Sequence, residues 1–343
     1  MGIPFISIIV PVYKVPKPYI KKNLLSLSAQ TLRKIEIIVV DDGSPDDIGI
    51  FCDEIAKEDS RIKVIHKSNG GLASARNAGV KAASGKYIMF VDGDDWIERD
   101  CCEEAYKIAE KSGSQIVMFG MTKDFKNESI PYKYHIKDNY LYDQNECKEL
   151  QKQVLNYNSN ISTATAKLIK RDIFAMYDIW HNEELKQGAE GIVFTFQLFG
   201  KVKSAIFLNE VFYHYTYNEE SISSSYSEET IRMVIDCFKY IKNDNIFNEN
   251  FQLYDLLRTR ILYAVISSVI SGYFNPDNNY SYRTRKEKCN QYLNEDIVDD
   301  ALRNSSQQGI SKSRKIVLFL IRRRMFLGLY CMGCIRKWQK THK

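Results

Sequence analysis

At 343 residues the chain is long enough for one large domain or two smaller ones, and 44% hydrophobic with 27% charged residues is the balance of a globular protein, which excludes a disordered or fibrous one. The formal net charge of +5 conceals an asymmetry: residues 301–343 hold eleven Lys or Arg and no Asp or Glu, so the first 300 hold 37 of the 48 bases against all 43 acids. A nucleic-acid binder would spread its charge over a folded face, whereas this excess sits in one terminal segment beside apolar runs, so an anionic membrane surface is the expected partner and no nucleic acid is.

In chain order, residues 6–12 (ISIIVPV), 35–40 (IEIIVV), 62–65, 87–91 and 115–119 are nearly continuous apolar runs, the pattern of strands covered on both faces. Between them lie helix candidates at 18–30, where Ile20, Leu24 and Leu27 share a face, and at 46–58, 72–83 and 98–111. The alternation predicts an α/β, Rossmann-like, doubly wound and mostly parallel sheet. Ligands of such sheets bind outside the carboxyl ends of the strands. Polar residues gather there: Pro11 to Tyr13 after the first run, Asp41 to Ser44 after the second, Asp92 to Asp95 after the fourth.

Farther along, KQGAEGIVFTFQLF (186–199) reads as the opening of a helix, and FLNEVFYHYTYNEESISSS (207–225) as a strand with a polar loop. From about 228 the chain turns helical, with Ile231, Val234, Ile235, Phe238 and Ile241 on one face, then 253–270. The expected organisation is a domain over 1–225, with halves at 1–120 and 121–225, followed by a helical region over 226–343. In the tail, KIVLFLIRRRMFLGLYCMGCIRKW, two apolar runs are split by Arg322, Arg323 and Arg324. Spanning a bilayer would bury these arginines at about 2.5–3.5 kcal/mol each. Lying at the interface removes that cost. Eight scattered cysteines, Cys331-x-x-Cys334 included, read as small buried hydrophobes, and with no charged-then-apolar leader at the start they predict a reduced, cytoplasmic location.

Carboxylates crowded at one sheet edge repel unless something positive lies between them. A hard divalent cation carrying phosphate oxygens is the natural partner, which makes Asp92-x-Asp94 one half of a metal site and a nucleotide diphosphate the other. The competing reading is an acidic turn in which Asp94 or Asp95 caps the next helix.

Together SIIVPVYK (7–14), QTLRKIEIIVVDDGSPD (30–46), NGGLASARNAG (69–79) and GKYIMFVDGDDW (85–96) resemble, in order and spacing, the family 2 glycosyltransferases of the GT-A fold. The resemblance is dense over 4–120 and loose over 160–225. It implies that Tyr13 stacks on the nucleobase beside Pro11, that Asp42 accepts a base N–H, and that Arg76 and the N–H groups of the glycine-rich stretch meet phosphate or sugar. It further implies that Asp92 lies near ribose and metal, with Asp94 the direct ligand of Mn²⁺ or Mg²⁺. An inverting transferase needs a general base. Glu190 matches the Glu of the family's Glu-Asp pair, but Gly191 stands where the Asp is usual; either Glu190 is the base, or the base lies elsewhere, or activity is reduced. Thr216 occupies the place of a usual basic residue, and His214 faces either the metal or the rim of the core. No Gln-x-x-Arg-Trp is present, so one sugar per encounter is expected.

The implied activity is transfer from a nucleotide diphosphate sugar, UDP-linked, to a growing glycan or lipid-linked saccharide of a surface polysaccharide, at the inner face of the cell membrane. Transfer to polyprenyl phosphate and a nucleotide-sugar-binding pseudoenzyme are the alternatives.

Overall fold

Ile and Val dominate the first two strands, and side chains stiff at χ1 pack well on a pleated surface covered from both sides. In the computed structural model, which describes residues 2–185, 189–217, 227–247 and 250–341, β1 (Ile6–Val12) and β2 (Ile35–Asp41) are buried at every position. β3 (Ile62–His66) pairs with β2 and β4 (Tyr87–Phe90) with β1, all in parallel, in the order 3-2-1-4. Each strand ends within one residue of its expected limit. The connections are α1 (Lys17–Ser28), α2 (Ile48–Ala56) and α3 (Leu72–Ala82).

After β4 the chain continues through β5 (Trp96–Ile97), α4 (Cys101–Ser112), β6 (Ile116–Asp124), β7 (Ser129–Pro131), β8 (Leu141–Tyr142), α5 (Gln144–Leu155), β9 (Lys167–Lys170), α6 (Asp172–Met176), a 3₁₀ turn (Glu183–Leu185), α7 (Glu190–Lys201) and β10 (Ala205–Thr216). Here the sheet ceases to be wholly parallel. β9 lies between β4 and β6, antiparallel to both, and β10 runs parallel to β6. The two-residue β5 pairs with β10 and α4 starts later than expected: Glu98, expected to open that helix, donates its N–H to the Phe212 carbonyl of β10, and Asp100 takes the N-cap position, so neither Asp94 nor Asp95 caps the helix as the competing reading had it. Residues 186–188 of the expected helix opening and 218–226 of the expected polar loop lie outside the described residues.

By internal packing the chain divides into two units, Met1–Val154 with Asn158–Asn218, and Leu155–Tyr157 with Glu219–Lys343. In the second, α8 (Glu228–Lys242), α9 (Phe251–Ser267), α10 (Tyr282–Leu293), α11 (Asp296–Asn304), α12 (Lys312–Arg322) and α13 (Phe326–Thr341) follow in order, and a π-helical stretch, Ser268–Tyr273, continues α9. α9 is the centre, with Leu253, Leu257, Ile261 and Val265 buried, and Arg258 grips Asp300 of α11 through two 2.9 Å hydrogen bonds. The basic tail is a helical hairpin whose turn is Arg323 to Met325. Its inner side, Val317, Leu318, Ile321 and Leu329, belongs to this unit's core, and Gly333 backs so closely onto the Phe274 carbonyl that a Cβ would overlap it. Among the described residues no helix is long and apolar enough to cross a membrane.

In the first unit, α3 must lie close to β1 to bring its polar residues beneath the sheet edge. Gly79 permits this, because a Cβ there would overlap Ile9 Cγ2, and Ile9 is fully buried on a stiff β-branched side chain. Although Ala is the better helix former by about 1 kcal/mol, Gly79→Ala is expected to destabilise the first unit by about 1–3 kcal/mol through overpacking. Denaturant unfolding monitored by circular dichroism measures this, and a variant as stable as the parent would show that α3 can shift freely.

Candidate active site

Three carboxylates in four residues form the turn after β4. Gly93 makes the turn possible: a Cβ there would stand 3.1 Å from the Pro11 carbonyl and 3.3 Å from a Val15 methyl, so the chain can close onto the end of β1 only without a side chain. Asn23, a polar residue on the buried face of α1, donates from Nδ2 to the carbonyls of Asp92 (3.0 Å) and Asp95 (2.8 Å), and the Asp95 N–H donates to the Asp92 carbonyl. The turn is thus fixed from one side by α1.

β10 fixes it from the other side. The Tyr213 hydroxyl accepts from the Asp92 N–H (3.2 Å) and donates to Asp95 Oδ2 (2.5 Å), while the Thr216 N–H donates to Asp95 Oδ1 (2.9 Å). Asp95 is therefore a bracing residue, and burial together with the charges of Asp94 and Asp92 raises its pKa well above the ordinary range. Asp94 has no such partners. Among the described residues no cation or side-chain donor meets it, and burial and the Asp92 charge push its carboxyl up to about 6.

Arg76 of α3 lies between two carboxylates. Only 3% exposed, it donates from Nη2 to Asp92 Oδ1 (2.7 Å) and from Nη1 to Glu190 Oε1 (3.1 Å). Burial disfavours its charge, but the two carboxylates outweigh burial and its pKa rises. Glu190 is the first residue of α7 and is itself buried. The adjacent Asn77 holds the approach to α7: its side chain accepts from the His181 N–H (3.0 Å) and donates to the His181 carbonyl (2.8 Å) and to Glu183 (2.9 Å). His181 stacks on Phe194 and meets Phe90 edge-on, and burial, with the Arg76 charge, holds its pKa well below normal.

At the end of β2, Asp42 is satisfied by the glycine-rich stretch. It accepts from the N–H groups of Gly70 (3.0 Å) and Gly71 (2.7 Å) and from Lys67 Nζ (2.6 Å). This corrects one expectation. The N–H groups of Gly70 and Gly71 are not free for phosphate, because the preceding carboxylate occupies them. Asp41 accepts from the Ser44 N–H and contacts His66 Nδ1 at 3.0 Å. Pro11 is buried in the wall beneath Gly93, and Tyr13, 37% exposed, stands just beyond β1 before Lys14, whose φ is 54°.

The structure thus joins Asp92, Arg76 and Glu190 in one hydrogen-bonded group, with Asp94 in the same turn as Asp92 but outside that network, and places Pro11, Tyr13 and Asp42 along the same carboxyl edge. Sequence reasoning passed over Asn23, Lys67 and Tyr213. A buried asparagine between Ile20 and Leu24 was the available signal for the first; the others are visible only once strands are paired. His214 stacks on Trp96 (centroids 3.5 Å apart) and sits 3.0 Å from both Asp124 and Glu98, at the rim of the sheet.

Comparison with known proteins agrees with this geometry. Residues 7–177 match the model of glycosyl transferase family 2. Glycosyltransferase EpsJ of Bacillus subtilis is 36% identical over 221 residues, 64% of this chain and 63% of EpsJ. EpsH of the same organism is 30% identical over 272 residues, 79% of this chain and 77% of EpsH. The chain therefore spans somewhat less than two thirds of EpsJ. Among solved structures, Staphylococcus aureus TarS 1–349 in complex with UDP-GlcNAc has a TM-score of 0.65 at 20% identity, covering 98% of this chain and 92% of that one, a likeness that shows the fold. A mixed, largely parallel sheet followed by helices, with an acidic edge at the carboxyl ends of its strands, is the GT-A fold. The chain belongs to glycosyltransferase family 2.

The pairing around Arg76 generates a prediction. Arg76→Gln leaves the buried Glu190 and the half-buried Asp92 without their cation and is expected to cost about 3 kcal/mol of stability, the lower end for breaking a buried pair. In the double variant with Glu190→Gln the loss should be smaller than the sum of the single losses, because one uncompensated charge has gone. Chemical unfolding of the four proteins in the cycle measures the coupling, and strict additivity would show that the pair is not energetically linked.

Proposed function

We propose that this enzyme transfers one sugar, with inversion, from a UDP-linked donor to a growing glycan or lipid-linked saccharide of a surface polysaccharide, at the inner face of the cell membrane. The observation that carries the reading is the single buried guanidinium that joins the donor-side carboxylate Asp92 to Glu190 at the start of α7. A base for the acceptor must stand one sugar away from the groups that hold the nucleotide, on the opposite side of the anomeric carbon. Arg76 bridges the two carboxylates and, among the described residues, engages Glu190 through Oε1, which supports such a division of roles. The acceptor hydroxyl gives its proton to Glu190 as its oxygen bonds the anomeric carbon; the bond from that carbon to the diphosphate breaks, and UDP leaves with the electron pair.

On the donor side, Tyr13 stacks on the base beside Pro11. Asp42 reads the base through whatever acceptor capacity Lys67 and the two glycine N–H groups leave open. The UDP-GlcNAc in the TarS structure supports the donor class. Asp94 and Asp92 fit a hard divalent cation, Mn²⁺ or Mg²⁺: they are two adjacent carboxylates, one of them desolvated without a positive partner, and oxygen is the donor such ions prefer. Among the described residues no group of three or more His, Cys, Asp or Glu side chains converges as a metal cage, so diphosphate and water complete the set in this reading. When bound, the ion neutralises charge on the departing diphosphate.

Asp94→Asn is expected to abolish transfer and metal-dependent nucleotide binding, because a neutral amide is a poor ligand for a hard cation. Calorimetric titration of UDP with and without Mn²⁺, alongside release of UDP in the presence of acceptor, measures both. Full turnover of the variant, or of the parent in excess chelator, would remove the metal.

Gly191 raises the question of the base directly. A Cβ at this position would meet nothing closer than the Ala164 nitrogen at 3.4 Å, so the missing aspartate is not forced by packing. With Glu190 as the base, Glu190→Gln lowers kcat by about 10²–10⁴ while donor affinity is kept, and Gly191→Asp gains little. A Glu190→Gln enzyme with unchanged kcat, or a large gain in Gly191→Asp, would place the base elsewhere.

A further inference from the structure

The outer side of the tail hairpin remains unexplained by the core that its inner side completes. Along α13, Leu327, Cys331, Ile335 and Trp338 fall on one face and all are exposed, Leu327 at 69% and Trp338 at 61%. At 1.5 Å per residue this stripe is about 16 Å long. On α12, Ile316 and Phe319 are likewise exposed, with Lys312, Lys315 and Arg323 exposed beside them.

Where the two helices turn, a recess of about 490 Å³ is lined by Arg303, Arg322, Arg324, Asp299 and Leu302. Asp299 already pairs with Arg303 (2.8 Å). Arg324 donates to Asn294 Oδ1 (2.7 Å) from one nitrogen, while its Nη1 is buried with no partner among the described residues. Three guanidiniums against one carboxylate leave the recess with an excess of two positive charges. In the hairpin Lys337 meets Asp277, but among the described residues no carboxylate pairs with Lys312, Lys315, Arg322, Arg323 or Arg324.

An apolar stripe ending in tryptophan, with Lys312, Lys315 and Arg322 to Arg324 nearby and unmet by any carboxylate among the described residues, is complementary to one kind of surface, an apolar interior beneath a layer of negative headgroups. The geometry points to a lipid-docking face on α12 and α13: Leu327, Ile335 and Trp338 enter the acyl boundary of an anionic bilayer, and the Arg322–Arg324 recess receives a lipid phosphate. This deepens the reading of transfer at a membrane and rests on it. The hairpin is not a detachable appendage, since removing it would strip the second unit of part of its core.

The test uses the full chain and vesicles of phosphatidylcholine, with or without phosphatidylglycerol. Flotation should show binding to the anionic vesicles alone, weakened by high salt as expected for screened charges. The two-residue variant Leu327→Gln/Trp338→Gln changes only exposed positions, so it should keep its circular dichroism while losing binding by about tenfold or more. Arg322→Gln/Arg323→Gln should reduce the preference for phosphatidylglycerol. In the parent, brominated acyl chains should quench Trp338, the signal being the part of the quenching that Trp338→Phe loses. Equal binding to neutral and anionic vesicles, no binding to either, or full binding by the Leu327/Trp338 variant would overturn the proposal. Vesicle binding is read without donor or acceptor and UDP release without lipid, so failure of one is distinguishable from failure of the other.

Discussion

A guanidinium withdrawn from water keeps its charge and must find acceptors in place of the solvent, and in the first unit that requirement ties together parts of the chain that are far apart in sequence. Arg76 needs Asp92, 16 positions away, and Glu190, 114 positions away. To reach both it must lie on a helix pressed against the sheet, which is why α3 is built from Ala and Gly where it meets β1. The next residue, Asn77, clamps the segment around His181, so two adjacent side chains on one helix locate both the donor edge and the start of α7. A buried ion pair is weak evidence for stability in itself, because desolvation offsets much of the attraction. What it supplies here is position: only one arrangement of β4, α3 and α7 leaves no buried charge alone.

The acidic edge divides into two kinds of carboxylate. Those of Asp42 and Asp95 are occupied, the first by Lys67 and two glycine N–H groups, the second by Tyr213 and the Thr216 N–H. They are parts of the scaffold as much as of any site. Among the described residues Asp94 and the remaining oxygen of Asp92 have no comparable partners, and the burial that raises Asp94 toward neutrality is the condition a cation would reverse. One acidic motif, DGDD, thus contains a residue that carries Arg76, a glycine that lets the turn close, a residue left open and a residue that braces the turn to β10.

Much of this unit was legible because its signals are local. Continuous Ile/Val runs alternating with helical periodicity gave β1 to β4 nearly to the residue, and turn chemistry at the strand ends located the edge. β9 was not legible: Lys167–Lys170 is short, begins and ends with lysine, and buries Lys167 only because its ammonium donates to the carbonyls of Thr163 and Thr165. The pairing of Arg76 with Glu190 and of Asp95 with Tyr213 depends on contacts across more than a hundred residues, for which a single sequence has no periodic signature. The tail shows the opposite case. Its amphipathic pattern was plain, but the pattern alone does not say which apolar residues face the core; Val317 and Leu329 do, and Leu327 does not.

The position of β9 bears on how the sheet is assembled during synthesis. β4 and β6 are separated in the chain only by the two-residue β5 and α4, but they do not pair, since a strand drawn from well beyond both is inserted between them. The four parallel strands can pair as they emerge from the ribosome, whereas β6 and the far side of β4 must each keep an open hydrogen-bonding edge until Lys167–Lys170 has been made. At roughly 5–20 residues per second that interval lasts several seconds. Unpaired edges of this kind are where nascent chains associate wrongly, and lysines are among the residues that discourage it. The charge at both ends of β9 is therefore understandable as protection of a strand that arrives late, and a slow step in maturation of this chain is expected to be the entry of that short strand between two waiting edges.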